Sequence, residues 1–135
     1  MKPIQLKNIS RLIEKAGGLD GLKTQYVRIE NPPYMRLVIE HIGAMNGLDL
    51  ISVAHYGEQN GDAMRDPEMC FMVKDSAFYP TYYRNDYVGV ERKSVRMDGA
   101  EMKVWAKEYQ DECAFAKTWD RNIGEQGFIE AMATR

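Results

Sequence analysis

The spacing of apolar residues divides the chain into three parts with different periodicities. In residues 8–16, apolar side chains recur at i, i+3, i+4 and i+7, which predicts a short amphipathic helix. Asn8 is the predicted N-cap, and Gly17-Gly18 are predicted to end the helix because glycine adopts positive φ without steric cost. From residue 24 to residue 95 the period becomes two, and from Asp98 onward it returns to 3.6. The pattern therefore predicts a helix, a series of strands and a second helix.

The central part contains six segments with strand character, joined by short connections. Residues 48–56 form a nearly continuous apolar run, which is typical of a central strand buried on both faces. Asn46-Gly47, just before it, is a strong turn dipeptide, and short connections of this kind make neighbouring strands antiparallel. Pro32-Pro33 separates the first two segments, since proline donates no hydrogen bond to a sheet. The predicted strands are residues 24–30, 34–41, 48–56, 68–74, 78–84 and 87–95.

The last third of the chain predicts one long helix. Asp98 is the predicted N-cap, with Glu101 three residues later in a capping-box pattern. Gly124 is the predicted end, and a short helical piece is predicted at 128–133. The apolar stripe of the long helix consists of Met102, Trp105, Ala106, Tyr109, Cys113 and Ala116.

This order of elements is typical of an α+β fold. We expect residues 1–135 to form a single domain with an N-terminal helix, a curved antiparallel sheet of five or six strands, and a long C-terminal helix packed on the sheet.

Composition excludes some classes of function and favours others. The formal charge of −2 argues against a general electrostatic grip on nucleic acid. There is no run of about 18 apolar residues and no secretory signal, so we expect a cytoplasmic protein without a membrane partner. Cys70 and Cys113 lack metal spacing and are expected to be buried free thiols. Nine methionines and eight tyrosines favour a surface that binds another macromolecule, although a Met-rich core is an alternative.

The stretch HYGEQNGDAMRDPEM, residues 55–69, has the composition of a metal site and also that of a hairpin connection. As a metal site it would offer one imidazole and four carboxylates; a His with two carboxylates suits Mn, Fe or Zn, and carboxylates alone suit Mg or Ca. However, His55 and Glu58 are three residues apart and fall on opposite faces of a strand, which weakens this interpretation. The candidate metal ligands are His55, Glu58, Asp62, Asp66 and Glu68.

As a hairpin, the same stretch forms a polar loop over residues 57–68, with turn chemistry at Asn60-Gly61. We interpret Asp62, Asp66 and Glu68 as acceptors of backbone N–H groups that brace a fixed loop. In this interpretation the loop shapes a binding surface and performs no chemistry. Its candidate residues are His55, Tyr56, Glu58, Asn60, Gly61, Asp62, Asp66, Pro67 and Glu68.

A second group of candidate residues combines tyrosines with arginines. Aromatic side chains among basic residues can stack bases or anchor a protein partner, and they can equally be cross-strand pairs that stabilise the sheet. The candidate binding residues are Tyr79, Tyr82, Tyr83, Arg84, Tyr87 and Arg92.

Catalytic patterns are weak. Glu91 and Lys93, with Asp66 or Asp86 as an earlier acid, resemble the metal-binding set of restriction-type nucleases, but the parallel strand–helix–strand setting is absent. There is no nucleophile elbow and no glycine-rich phosphate loop. We therefore predict no catalytic residue and no cofactor.

Two segments carry a resemblance to a family. The segments NPPYMRL (31–37) and ISVAHYGEQNGDAMRDPEMCF (51–71) resemble a family of uncharacterised bacterial and phage domains with the signature H-Y-x-E-Q-N-G-D-x-M-x-D-P-E-M. The resemblance extends over about residues 8–120 and implies no established activity. It does imply a phage or mobile-element context, in which proteins of this size are often inhibitors of host defence machinery, including RNA-guided nucleases.

Taken together, these patterns favour a non-enzymatic protein-binding module, plausible as an inhibitor of a host defence nuclease such as a CRISPR effector. The expected partner is a host protein or a protein–nucleic-acid complex, and a homodimer is also possible. The alternative is a metal-dependent hydrolase or nuclease that uses the carboxylates and histidine of residues 55–68.

Overall fold

The computed structural model describes residues 1–133, and four helices and eight strands lie within them. None of these helices is long and apolar enough to cross a membrane. The helices are α1 (Lys7–Lys15), α2 (Gly18–Thr24), α3 (Ala106–Glu125) and α4 (Phe128–Ala131). The strands are β1 (Val27–Asn31), β2 (Tyr34–Met45), β3 (Leu48–Gln59), β4 (Asp62–Lys74), β5 (Ala77–Asn85), β6 (Val90–Lys93), β7 (Val95–Asp98) and β8 (Glu101–Val104).

Strands β1 to β6 form one antiparallel sheet in which the spatial order is the chain order. Two of its hairpins turn through Asn46-Gly47 and Asn60-Gly61, and all four of these residues have positive φ. Positive φ at both central residues is the conformation of a type I′ turn, for which Asn-Gly is a preferred sequence. The predicted α+β fold is therefore confirmed, with six strands in the main sheet and one long helix near the C-terminus.

One face of this sheet carries the main core, beneath the helices. Alternate side chains of β2, β3 and β4 are fully buried there, and Ala116, Trp119 and Ile123 of α3 pack against them. Residues 51–55 of β3 are buried on both faces, as the continuous apolar run predicts. The large buried side chains on the three strands are Leu37, Ile39, Ile51, Val53, Met69 and Phe71.

Helix α3 also caps helix α1. The buried Asp120 accepts hydrogen bonds from the backbone N–H of Ile9 at 2.7 Å and of Asn8 at 3.2 Å, and the Asn8 side chain donates to the Asp120 carbonyl at 3.0 Å. The prediction of Asn8 as the N-cap is wrong, because α1 begins at Lys7 after Leu6. The free N–H groups at the start of α1 are instead satisfied by a carboxylate from another helix.

The predicted helix start at Asp98 is also wrong. Residues 95–104 form the hairpin of β7 and β8, in which Val95 pairs with Val104 and Met97 pairs with Met102. Gly99 has a φ of 64°, which suits the turn between the two strands. Helix α3 begins only at Ala106, after Trp105, so the first part of the predicted stripe belongs to this hairpin.

Other boundaries also differ from the prediction. The predicted loop at 57–68 is almost entirely strand, because β3 continues to Gln59 and β4 begins at Asp62. Thr24, predicted to open the first strand, belongs to α2, which begins at Gly18, and β1 begins only at Val27. Cys70 is buried and Cys113 is half-buried, and both are free thiols.

Candidate binding site

The polar stretch 55–69 forms a long two-stranded hairpin with a tight tip. Gln59 pairs with Asp62 across the turn, and Glu58 pairs with Ala63. Glu58 and Asp62 are exposed, whereas His55 is buried on the helix-covered side of the sheet. The separation of His55 from Glu58 that strand parity predicts is therefore present.

The inner carboxylates of this hairpin are bonded to side chains. Asp66 accepts a hydrogen bond from Asn85 Nδ2 at 2.6 Å. Glu68 accepts one from Ser52 Oγ at 2.5 Å and pairs with Arg65 at 3.3 Å. Within residues 1–133, none of Asp62, Asp66 and Glu68 accepts a backbone N–H, so the predicted bracing of the loop by these groups is wrong.

Asp86, in the turn after β5, accepts the backbone N–H that was expected to bond to a carboxylate of the hairpin itself. It accepts the backbone N–H of Arg65 at 2.8 Å and pairs with Arg84 at 2.7 Å. These contacts lower the pKa of Asp86, with the Arg65 N–H as the largest cause. The hairpin is thus fixed by a carboxylate of the turn after β5 and not, as was predicted, by one of its own carboxylates.

His55 meets α3 at the centre of the helix-covered face. Its Nδ1 lies 3.1 Å from Trp119 Nε1, and its ring also contacts Phe128 at 5.2 Å between centroids. Burial lowers the pKa of His55 to about 4, although the Asp66 carboxylate opposes this shift. In the described part of the chain, His55 Nε2 is buried and has no hydrogen-bond partner.

A surface cavity of about 420 Å³ opens beside His55. The cavity lies between α3 and the part of the sheet that carries Pro33, in the turn between β1 and β2, and Pro67 of β4, and its volume is within the range of ligand pockets. Aromatic and aliphatic side chains form most of its wall, and Asp66 is the one charged residue that lines it within the described part of the chain. Its lining residues are Pro33, Tyr34, Met35, His55, Asp66, Pro67, Phe115, Trp119, Asn122 and Gln126.

Large apolar side chains are exposed around this cavity. We call Tyr34, Met35, Tyr87 and Phe115 the apolar rim, and each is between 36% and 45% exposed. Gly57 lies beneath the rim, since a Cβ atom there would stand 2.3 Å from the Tyr87 hydroxyl and 3.4 Å from Met35 Cε. The absence of a side chain at Gly57 therefore lets Tyr87 lie across β3 beside Met35.

One comparison with known proteins gives a match. The model of the family described as Domain of unknown function (DUF6908) matches residues 7–129. The chain belongs to this family. No curated protein and no solved structure matches it.

In this DUF6908 domain, the tyrosine and arginine candidates do not form one surface. Tyr83 and Arg92 are paired on the face under α3, where Tyr83 stacks edge-on against Phe115 at 5.2 Å. Tyr82 and Arg84 lie on the opposite face, with Glu91, and Tyr79 is paired with Met72 there. Only Tyr87 belongs to the apolar rim.

The metal candidates of the DUF6908 domain are similarly dispersed. Among the residues that the structure describes, no group of three or more His, Cys, Asp or Glu side chains could hold a metal ion. Glu91 of the nuclease-like pattern is hydrogen-bonded by Tyr82 and pairs with Arg84 at 3.8 Å. The arrangement can hold strands together and present a surface.

Sequence reasoning missed the helical half of this DUF6908 site. Phe115, Trp119, Asn122 and Gln126 all come from α3 or its C-terminal end. A signal was present, because Trp119 and Ile123 continue the stripe of Tyr109 and Ala116 at helical spacing. The pattern could have placed Trp119 in the core, but not beside His55.

Proposed function

We propose that this chain is a non-enzymatic protein-binding module that contacts its partner through the apolar rim and the cavity beside His55. The observation that carries the proposal is a cluster of four exposed large apolar side chains, of which Tyr34, Met35 and Phe115 line one cavity and Tyr87 lies beside Met35. Aromatic residues dominate the energetics of protein interfaces when they surround a pocket that excludes water.

The polar residues near the rim support binding over catalysis. Asp66, Asn85, Asp86 and Arg84 are engaged in hydrogen bonds with one another or with the neighbouring backbone. A catalytic set needs a nucleophile, a base and a charge-stabilising group that converge on one reacting atom. The contacts here instead fix the hairpin whose Gly57 lies beneath Tyr87 and Met35 of the rim.

The finer proposal concerns the partner. The resemblance to bacterial and phage domains supports a host protein or a protein–nucleic-acid complex in the cytoplasm as the partner. It also supports a role for this chain as an inhibitor of a defence nuclease such as a CRISPR effector. The two tyrosines and the methionine of the rim agree with this role, since Met adapts to irregular contact surfaces and Tyr is enriched at interfaces.

The proposal is tested with two matched double variants. Met35→Ala/Tyr87→Ala truncates the rim, whereas Ile42→Ala/Val104→Ala truncates two side chains of similar exposure elsewhere. Proteins captured from host lysate are identified and purified, and their Kd is measured against the wild-type chain and both variants. Cleavage by a captured nuclease is assayed with and without the chain.

We expect the rim variant to bind the partner at least about tenfold more weakly, a loss of about 1.4 kcal/mol, and the control variant to bind normally. Equal binding by the rim variant would reject the surface. Light scattering on the wild-type chain measures self-association. Self-association would identify a second copy of the chain as the partner.

A further inference from the structure

The hydrogen bond from Trp119 fixes the position of the proton on His55. An indole N–H can only donate, so His55 Nδ1 must accept the hydrogen bond of 3.1 Å. A neutral imidazole with Nδ1 as acceptor carries its proton on Nε2. His55 therefore holds an N–H donor that, within residues 1–133, has no acceptor.

An unpaired donor of this kind is uncommon in a protein interior. His55 is 9% exposed, and more than nine in ten buried polar groups have a partner. Since the His55 ring lines the cavity, a group bound there can supply the missing acceptor. The half-exposed Met35 at the cavity wall is flexible enough to shift and admit such a group.

The other walls of the cavity restrict the chemistry of that group. Asp66 also lines the cavity, and a carboxylate that accepts one bond from Asn85 retains further acceptor sites. Among residues 1–133, no lysine or arginine lines the cavity, so within this part of the chain a ligand carboxylate would meet Asp66 without a compensating cation. The aromatic side chains of Tyr34, Phe115 and Trp119 offer apolar contact to a flat group.

A primary amide fits all three features. Its carbonyl oxygen can accept from His55 Nε2, and its N–H can donate to Asp66. We propose that the cavity binds a side-chain amide, Gln or Asn, that a protein partner presents beside an aromatic residue. This inference rests on the proposed function and assigns the cavity as its anchor point.

Three small probes of the same shape test the chemistry on the full chain: benzamide, benzoate and benzamidine. Benzamide offers both an acceptor and a donor, benzoate only acceptors, and benzamidine only donors with a positive charge. Binding is followed by NMR at the Trp119 indole N–H and the His55 ring, with Trp105→Phe used to assign the two indole signals. We expect benzamide to shift both residues and to bind about tenfold more tightly than the other two probes.

A matched peptide pair tests the source of the amide. N-acetyl-Phe-Gln-N-methylamide and N-acetyl-Phe-Glu-N-methylamide carry no primary amide at the C-terminus and differ only in the side-chain amide, so the glutamine peptide is expected to bind more tightly. Asp66→Asn, at a half-buried position, should reduce the preference for benzamide over benzoate.

Tightest binding by benzamidine would overturn the proposal in favour of a cation site, and the absence of any shift at Trp119 would reject the cavity as a binding site. If the probes fail but Met35→Ala/Tyr87→Ala still weakens partner binding, the amide inference is rejected and the binding surface stands. If benzamide binds but no protein partner is captured, the proposed function is rejected.

Discussion

Helix α3 buries one hydrogen-bonded pair under each of its halves, and the two pairs respond to burial in opposite ways. In the N-terminal half, Glu112 accepts a bond from Ser94 Oγ at 2.7 Å, and burial raises the pKa of Glu112 to about 7. In the C-terminal half, Trp119 donates to His55, whose pKa burial lowers to about 4. Exclusion of water favours the neutral form of each group, whatever charge it would otherwise carry.

The surroundings of the two pairs differ more than the pairs themselves. The cavity at Glu112 measures about 300 Å³ and is lined by the charged Arg92 and Asp111. The cavity at His55 is surrounded by the apolar rim. Each pair leaves one polar atom without a partner in the described part of the chain, Glu112 Oε2 and His55 Nε2. Phe115 lines both cavities, but the unpaired atom of Glu112 has the charged Arg92 and Asp111 beside it, whereas that of His55 has Tyr34 and Met35 of the rim, so the binding site is proposed at His55.

The two groups also oppose each other in their effect on stability. As pH rises from about 4 to 6.5, His55 makes the native state relatively more stable. Glu112 makes it relatively less stable as pH rises from 4.5 to about 7. Between pH 4.5 and 6.5 the two contributions to the free energy of unfolding partly cancel. Removing one group should therefore reveal the pH dependence that the other group causes.

The largest effect is expected from Trp119→Ala, which removes the buried ring that joins α3 to His55. Loss of a buried tryptophan costs about 3–5 kcal/mol of the free energy of unfolding. Phe115→Ala, one turn earlier and 39% exposed, is the control and should cost less than about 1 kcal/mol. Urea denaturation measures both. Equal losses would show that the C-terminal half of α3 is not held by its buried side.

The second effect is a change in the acid side of the stability curve on His55→Gln. Between pH 6.5 and about 4, the unfolded chain binds a proton at His55 that the native protein does not, so the free energy of unfolding falls with pH. His55 accounts for a loss on the order of 3 kcal/mol over this window. Glutamine offers Trp119 an acceptor but does not titrate, so the variant should lack this loss.

The measurement is urea denaturation of both proteins at several pH values between about 7.5 and 4.5. Asp49 and Asp86, whose pKa values are lowered by their partners, weaken both proteins equally in acid. The difference between the two curves therefore isolates His55, and parallel curves would contradict the assignment.

The fold could be predicted from the sequence because periodicity reports burial directly. The apolar run at 48–56 and the Asn-Gly turns are local signals, and both are realised in β3 and its hairpins. Residues 95–104 were misread because Met102, Trp105 and Tyr109 fit helical spacing, while Val95, Met97, Met102 and Val104 also fit a hairpin. Local pattern does not decide between the two periods in so short a segment.

The candidate site could be predicted only in part, because its contacts join distant residues. Burial of His55 follows from its strand, but its partner Trp119 is 64 residues away in the sequence. The Arg65 N–H is bonded by Asp86, 21 residues away, and not by a carboxylate of its own hairpin. The type of residue at each position was informative, whereas the pairing depended on the register of the sheet.

The third effect concerns the N-terminal half of α3. Glu112→Gln is expected to raise the free energy of unfolding by about 2 kcal/mol at about pH 8, where the native protein must otherwise hold a buried carboxylate. Near pH 4 the gain should vanish, because the native and unfolded forms are then both protonated. The exposed Glu125→Gln is the control and should show no such pH dependence. A gain that is the same at both pH values would exclude a titrating Glu112 as its cause.

The smallest effect on stability, and the sharpest test of the apolar rim, is expected from Gly57→Ala. A methyl group at this position meets the Tyr87 hydroxyl, which is the far end of an exposed side chain and can swing aside. Stability should therefore change by less than about 0.5 kcal/mol. Partner binding should nevertheless weaken several-fold, because Tyr87 can no longer lie beside Met35.

Surface plasmon resonance measures partner binding and urea denaturation measures stability, both on the same preparation of the Gly57→Ala variant. Unchanged binding would show that the position of Tyr87 does not matter, whereas a large loss of stability would show that the rim belongs to the core.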